Sequence, residues 1–114
     1  MTPTSADAAA IRAAVALFFD RVLANPALER YWIGVDEPRL RRHALAFILQ
    51  ALGGPALYDG DMRSAHAPLG IDDADFDRVA AELMASLSEV GVSAGVVELA
   101  GLRVAELRPV IVTA

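Results

Sequence analysis

Apolar residues recur along the chain at intervals of three and four, which places them on one side of an α-helix. In the first such stretch they are Ile11, Val15, Phe18 and Val22. Thr4 and Asp7 resemble a capping box at its start, and Asn25-Pro26 ends it. The pattern predicts a first helix over residues 4–24 and a short turn-like segment over residues 27–32.

Three further helices follow from the same spacing and from their start and stop signals. Asp36-Glu37-Pro38 begins a helix that ends at Gly53-Gly54-Pro55. Residues 56–70 are predicted to be mostly loop, with one short helix over residues 61–67. The third helix begins among Asp72, Asp73 and Asp75 and continues to Gly91; the fourth begins near Ser93, and Pro109 kinks or ends it. No segment alternates as a strand would, so we predict an all-α fold in a single domain, residues 1–114.

The composition of the chain excludes several classes of function. Apolar residues make up 55% of the chain, more than a core of this size buries, so we expect a bound apolar cofactor or an oligomer interface to cover the excess. A net charge of −5 without a basic stripe argues against binding of nucleic acid or of an anionic membrane surface. The absence of cysteine excludes disulfides, thiolate metal sites and thioether-linked haem. With no leader-like or membrane-spanning pattern, we expect a cytoplasmic protein.

The two histidines are the main candidates for chemistry. On the second helix, His43 lies about 60° from Leu40 and about 40° from Phe47, so we expect its side chain to face the core. A half-buried histidine bonded to a backbone carbonyl or to water is the ordinary alternative. His66 ends the short predicted helix, where it could equally be a surface residue stabilised by the helix dipole. Zinc-site and hydrolase patterns are absent from the sequence, whereas haem uses single imidazoles from different helices.

Three segments together resemble the truncated haemoglobins, specifically group I: "FFDRVLANPALERYW", "ALGGPALYDGDMRSAH" and "GIDDADFDRVAAELMASLSEVGV". The resemblance covers about residues 8–112. It implies a shortened globin, a two-over-two helical sandwich around haem b, with His66 as the proximal iron ligand. It also places His43 where some cyanobacterial members carry a histidine that binds the iron on the distal side.

The resemblance implies further haem contacts on both sides. Those on the proximal side are Met62, Ala65, Leu69, Ile71, Phe76 and Val79. Those on the distal side are Phe18, Phe19, Trp32, Leu40, Ala44 and Phe47. The candidates to meet the haem propionates are Arg42, Arg63 and Tyr58, for which an ordinary solvated surface is the alternative.

The chain departs from the family at the residues that usually bond to dioxygen. Phe19 replaces the usual distal tyrosine, and Ala44 replaces the usual glutamine. Trp32 stands where phenylalanine is usual. The remaining donors would be the His43 imidazole and the Trp32 indole N–H, so we expect a weaker complex with dioxygen or a function other than oxygen storage.

Three functions fit these observations. The first is a haem protein that binds diatomic gases and detoxifies nitric oxide to nitrate, which requires a separate reductase as electron donor. The second is a bis-histidine haem protein for electron transfer or for redox or gas sensing. The third is a helical interaction module without haem, in which His43 is a core residue.

Overall fold

The computed structural model describes residues 5–53 and 69–113. Its helices are α1 (Ser5–Ala24), a 3₁₀ helix η1 (Pro26–Tyr31), α2 (Glu37–Gly53), α3 (Asp73–Glu89), α4 (Ala94–Glu106) and α5 (Arg108–Ile111). These two ranges contain no strand, and the all-α prediction is confirmed. Among the same residues, no helix is both long enough and apolar enough to cross a membrane.

The four long helices form two stacked pairs. Helices α1 and α2 pack on each other, as do α3 and α4, and the pairs meet where α1 lies on α3 and α2 lies on α4. The short α5 folds back onto α3 and α4. This is the two-over-two arrangement that the sequence resemblance implies.

The core lies between the two pairs, and α1 contributes more of its buried side chains than any other helix. The buried residues of this cluster are Ile11, Ala14, Val15, Phe18, Phe19, Val22, Leu28, Tyr31, Leu52, Leu83, Leu87, Val92, Val96 and Ala100. The predicted stripe of α1 is therefore the stripe that it buries, because apolar side chains at intervals of three and four share one face of a helix.

Two helix starts and one helix end have the capping interactions that their sequences indicate, whereas the Ser93 side chain makes no capping hydrogen bond at the start of α4. The Asp36 carboxylate accepts a hydrogen bond from the Arg39 backbone N–H at 3.2 Å, at the start of α2. Asp72 accepts from the Asp75 backbone N–H at 2.8 Å, at the start of α3. Gly91 ends α3 with a φ of 86°, a conformation in which a residue without a Cβ is not strained.

Two segments differ in detail from their predictions. The segment predicted as turn-like forms η1 instead, because the Asn25 side chain caps it by accepting from the Ala27 backbone N–H at 3.0 Å. Pro109 does not end the helical region: Leu107 breaks α4, and Pro109 lies in the first turn of α5, where its missing N–H costs nothing. The predicted short helix over residues 61–67 lies outside the described residues.

Three arginines join neighbouring helices at the surface, and each bonds two carboxylates. Arg21 of α1 bonds Glu82 and Glu89 of α3. Arg108 of α5 bonds Asp73 and Asp77 of α3. Arg41 of α2 bonds Asp20 of α1 and, on its own helix, Glu37. The planar guanidinium can hold two acids at once, which a single ammonium does with less directional control.

Candidate functional site

The side of α2 that carries His43 does not face the core. The residues of α2 that pack against the core are Leu40, Ala44, Leu45, Ile48, Leu49 and Leu52, so its buried arc is centred near Ile48. At about 100° per residue, His43 lies roughly 140° from Ile48 and so points away from this arc. The His43 side chain is exposed, and the prediction that it is buried with Leu40 is wrong.

His43 and Phe47 lie one helical turn apart on the face of α2 that the described core leaves uncovered. Phe47 is half-buried and is not among the side chains packed against the core cluster. No hydrogen bond joins the His43 imidazole to another residue of ranges 5–53 and 69–113. An imidazole beside an aromatic ring suits a flat apolar cofactor that carries a metal, because the ring covers apolar surface and the nitrogen can reach the metal or its ligand. The donor set of this face therefore fits haem.

Phe18 and Phe19 of α1 belong to the core cluster, and Phe19 also contacts Arg41 of α2. Both are buried, and their rings meet edge to face with centroids 5.0 Å apart. The Arg41 guanidinium lies 5.6 Å from the centroid of the Phe19 ring. Neither ring has a hydrogen-bond donor, so this pair of rings is apolar, as the presence of Phe19 in place of the usual tyrosine predicts.

Trp32 is half-buried and packs against the core from the end of η1. Its indole Nε1–H donates to the backbone carbonyl oxygen of Val22 at 3.3 Å. The indole has only this one N–H. The indole N–H that was expected to be available to a bound gas is therefore already bonded to the backbone of α1 in this structure.

The structure describes four of the predicted proximal residues, and their surroundings differ. Ile71 and Val79 are half-buried and pack against the core cluster, whereas Leu69 is exposed. Phe76 is buried in an apolar groove between α3 and α4, with the Arg108 guanidinium 4.5 Å from its ring centroid. Contacts of all four residues with haem stay predictions.

The remaining predicted site residues divide between the described and the undescribed parts of the chain. Arg42 is exposed on α2 and has no ion-pair partner among the described residues. The other predicted residues lie outside the described ranges: Tyr58, Met62, Arg63, Ala65 and His66.

A buried polar cluster that the sequence does not predict lies at the start of α3. Asp75 is one of the three acids expected at this helix start, and it is buried. The Asp75 carboxylate accepts from the Tyr31 hydroxyl at 2.5 Å and from the Arg30 guanidinium at 2.6 Å. Burial, together with the hydrogen bond to Asp75, raises the pKa of Tyr31. No local signal predicts this cluster, because Tyr31 and Arg30 precede Asp75 by 44 and 45 residues in sequence.

The all-helical two-over-two sandwich is the arrangement that the resemblance implies for a small globin. The family model for bacterial-like globins matches residues 6–112. The chain belongs to the bacterial-like globin family.

Within that family the chain is similar to group 1 truncated hemoglobins. It is 40% identical over 88 residues to the group 1 truncated hemoglobin of Synechocystis sp., covering 73% of this chain and 71% of the relative. Identity to the protein from Mycolicibacterium paratuberculosis is 37% over 106 residues, covering 91% and 77%. The fold matches Chlamydomonas reinhardtii THB4 with a TM-score of 0.81 at 29% identity, covering 92% of this chain and 88% of that one. Membership of this family implies a haem cofactor and a diatomic gas as ligand.

Proposed function

We propose that this chain is a b-type haem protein that binds diatomic gases and combines nitric oxide with dioxygen to give nitrate. The observation that carries the proposal is the face of α2 on which His43 stands beside Phe47, uncovered by the described core. Haem b fits because it is held by side chains alone, and the chain has no cysteine for a thioether link.

His66 would hold the iron on the proximal side, and His43 would stand on the distal side. When bound, haem supplies an iron centre for diatomic ligands and one-electron chemistry. The apolar wall would consist of the residues of α1 and α2, together with Trp32, that the sequence resemblance indicates: Phe18, Phe19, Trp32, Leu40, Ala44 and Phe47. Arg42, Arg63 and Tyr58 are the candidates to meet the propionates.

The side chains of the distal wall would exclude water and leave little hydrogen bonding for a bound gas. Phe19 and Ala44 have no polar side-chain atoms, and the Trp32 N–H is bonded to Val22. The His43 imidazole is then the polar group of that wall. A wall with one donor favours release of dioxygen over its long retention, because each hydrogen bond that holds a ligand contributes about 1–3 kcal/mol. Storage of dioxygen is therefore not the function that we propose.

The reaction requires an electron from outside the chain. One nitric oxide and one dioxygen combine with one electron to form one nitrate ion, so each turnover consumes one reducing equivalent. A separate reductase would supply it. This requirement distinguishes a detoxifying protein from an oxygen store, which needs no continuous supply of electrons.

Electron transfer or sensing by a bis-histidine haem protein is the second proposed function. The observation that favours it is the exposure of His43, whose imidazole is not tied to another described residue and is available as a ligand. In that case His43 must leave the iron before a gas can bind, which lowers the observed rate of gas binding.

Absorption spectra of the purified protein test these proposals, recorded in the ferric and the dithionite-reduced states. His66→Ala is expected to lose haem, and His43→Ala is the matched control that should retain it. Stable haem in His66→Ala would contradict the proximal assignment. Sharp, split visible bands in the reduced wild type that broaden in His43→Ala would favour bis-histidine ligation. The absence of a Soret band after addition of haem would exclude both proposals.

Nitrate formation tests the reaction itself. The reduced protein, mixed with dioxygen and then with nitric oxide, should yield one nitrate per haem in a single turnover. Repeated turnover should occur only when a reductant is present. Gas binding without nitrate would leave the protein a gas-binding or sensing haem protein.

A further inference from the structure

The buried Asp75 carboxylate bonds side chains from two separate elements. Its Oδ2 accepts from the Tyr31 hydroxyl at 2.5 Å and from Arg30 Nη2 at 2.6 Å, and both donors belong to η1. Its Oδ1 accepts from Arg78 Nη1 of its own helix at 2.5 Å. Arg30 Nη2 also donates to the Tyr31 hydroxyl oxygen at 2.6 Å, so the donors on η1 are bonded to each other.

This cluster is a joint between two elements. Both oxygens of Asp75 are occupied, and the Tyr31 hydroxyl both accepts and donates, so neither of these two buried groups is left to bind a ligand. The backbone of η1 packs chiefly on α1, whereas this cluster links it to α3 through side chains. A buried carboxylate whose two oxygens bond two arginines and a phenol is held in one orientation by these hydrogen bonds.

Trp32 follows Tyr31 directly and is held at both ends. Its backbone N–H donates to the Glu29 carbonyl oxygen at 3.1 Å, within the last turn of η1. Its indole N–H donates to Val22 of α1 at 3.3 Å. The position of the indole therefore depends on where η1 sits between α1 and α3, and the contacts of Asp75 with Tyr31 and Arg30 fix η1 on α3.

We infer that Tyr31 and Arg30, anchored on Asp75, are positioning residues that set the place of the Trp32 indole in the wall of the gas pocket. This inference rests on the proposed function in so far as Trp32 lines that pocket. The residues of the cluster touch no gas and act through Trp32. They keep its N–H directed at Val22, which is what withholds that donor from a bound ligand.

The test uses the fact that Trp32 is the only tryptophan in the chain. Full-length protein is produced with 5-fluorotryptophan, loaded with haem and saturated with carbon monoxide. Its single fluorine resonance reports the surroundings of the indole, and the stretching band of the bound carbon monoxide reports the polarity of the pocket. Tyr31→Phe removes one hydroxyl, and Arg30→Gln changes a side chain that is 60% exposed, so it disturbs folding little.

Arg78→Gln is the matched control. Like Arg30→Gln it removes one positive charge and one hydrogen bond from Asp75, but Arg78 belongs to α3 and holds nothing on η1. We expect Tyr31→Phe and Arg30→Gln to displace or split the fluorine resonance and to shift the carbon monoxide band. Arg78→Gln should leave both signals as in the wild type.

Three results would overturn the inference: unchanged signals in Tyr31→Phe and Arg30→Gln, equal changes in Arg78→Gln, or a displaced resonance with an unchanged carbon monoxide band. The last result would mean that the cluster orders Trp32 without affecting the pocket. A wild-type protein without a Soret band would instead overturn the proposed function. The fluorine resonance, which needs no haem, would still report whether Tyr31 and Arg30 position Trp32.

Discussion

The indole Nε1 of Trp32 lies 3.3 Å from the carbonyl oxygen of Val22 and donates its proton to it. The indole has one N–H, and this hydrogen bond uses it. With Phe19 and Ala44 at the positions where group I relatives usually carry donors, His43 is the polar side chain left for a bound gas in the distal wall that we propose. The affinity for dioxygen should therefore respond strongly to one added donor.

Replacing Ala44 with glutamine should add that donor. We expect Ala44→Gln to slow the dissociation of dioxygen roughly ten- to hundred-fold, because a hydrogen bond to the bound ligand contributes about 1–3 kcal/mol. The rate is measured by displacing dioxygen with carbon monoxide in a stopped-flow experiment. Ala46→Gln, on the exposed side of α2, is the control and should leave the rate unchanged. Equal rates in all three proteins would show that Ala44 does not face the ligand.

Two glycines should respond oppositely to the same substitution. A Cβ at Gly101 of α4 would lie 3.6 Å from the Met84 sulfur, an ordinary contact. Gly101→Ala should stabilise the protein by about 0.5–1 kcal/mol, because alanine loses less backbone entropy in a helix. Gly91 has a φ of 86°, so Gly91→Ala should destabilise by about 1–2 kcal/mol. Urea denaturation measures both, and a loss of stability in Gly101→Ala would mean that α3 and α4 cannot accommodate the methyl group.

Replacing Ser86 with alanine should stabilise the folded protein. Its side chain is fully buried in α3, and its hydroxyl has no hydrogen-bond partner among the described residues. Ser86→Ala should raise the free energy of unfolding by on the order of 1 kcal/mol, because it removes an unsatisfied polar group. Ser88→Ala, at an exposed position of the same helix, gains only helix propensity, about 0.5 kcal/mol. If Ser86→Ala gains no more than Ser88→Ala, the buried hydroxyl has a partner after all.

Acid should weaken the link between α1 and α3. The hydrogen bonds from Arg21, opposed in part by desolvation, lower the pKa of Glu89 below its ordinary value of 4.5. A lowered pKa in the folded state contributes stability that is present above the ordinary value and is lost as pH falls through the folded pKa. Glu89→Gln should therefore be less stable than the wild type at pH 7, and the difference should vanish at lower pH. Urea midpoints between about pH 7 and pH 3 test this.

The control for the acid experiment is Glu98→Gln. Glu98 is exposed on α4 and has no ion pair within ranges 5–53 and 69–113. Its substitution should leave the pH dependence of the urea midpoint as in the wild type. A Glu89→Gln protein with the pH profile of Glu98→Gln would show that the ion pair contributes nothing measurable in solution, as is common for exposed pairs.

The helices could be predicted closely because their signals are local. Asp36 and Asp72 cap α2 and α3 at the residues that the sequence indicates, since a capping side chain bonds a backbone N–H three residues away. The 3₁₀ helix was less clear, because only the Asn25 side chain distinguishes it from a turn. The rotation of α2 could not be predicted from its own residues. His43 and Ile48 both have apolar neighbours, and packing on α1 and α4 decides which of them faces inwards.

The candidate site was predicted less completely for the same reason. A family resemblance indicates residue types at matching positions, so it indicates Phe19, Trp32 and His43 as candidates, and their role in the site stays a prediction. It does not report which donors are already bonded, and the partner of the Trp32 indole is a backbone carbonyl. The Asp75 cluster combines residues from η1 and α3, and neither segment alone distinguishes a buried carboxylate from a solvated one.

The arginine bridges between helices should respond differently to acid and to base. The chain has no lysine, so every cationic side chain in these bridges is a guanidinium, which stays charged beyond about pH 12. Base therefore cannot discharge the positive side of the bridges, whereas acid discharges their carboxylates. At alkaline pH the group that should respond is instead the buried phenol of Tyr31. Its raised pKa contributes stability below about pH 10 that is lost as the pH rises further. Acid should therefore weaken the contacts between helices at the surface, and base should weaken the joint between η1 and α3 beside Trp32.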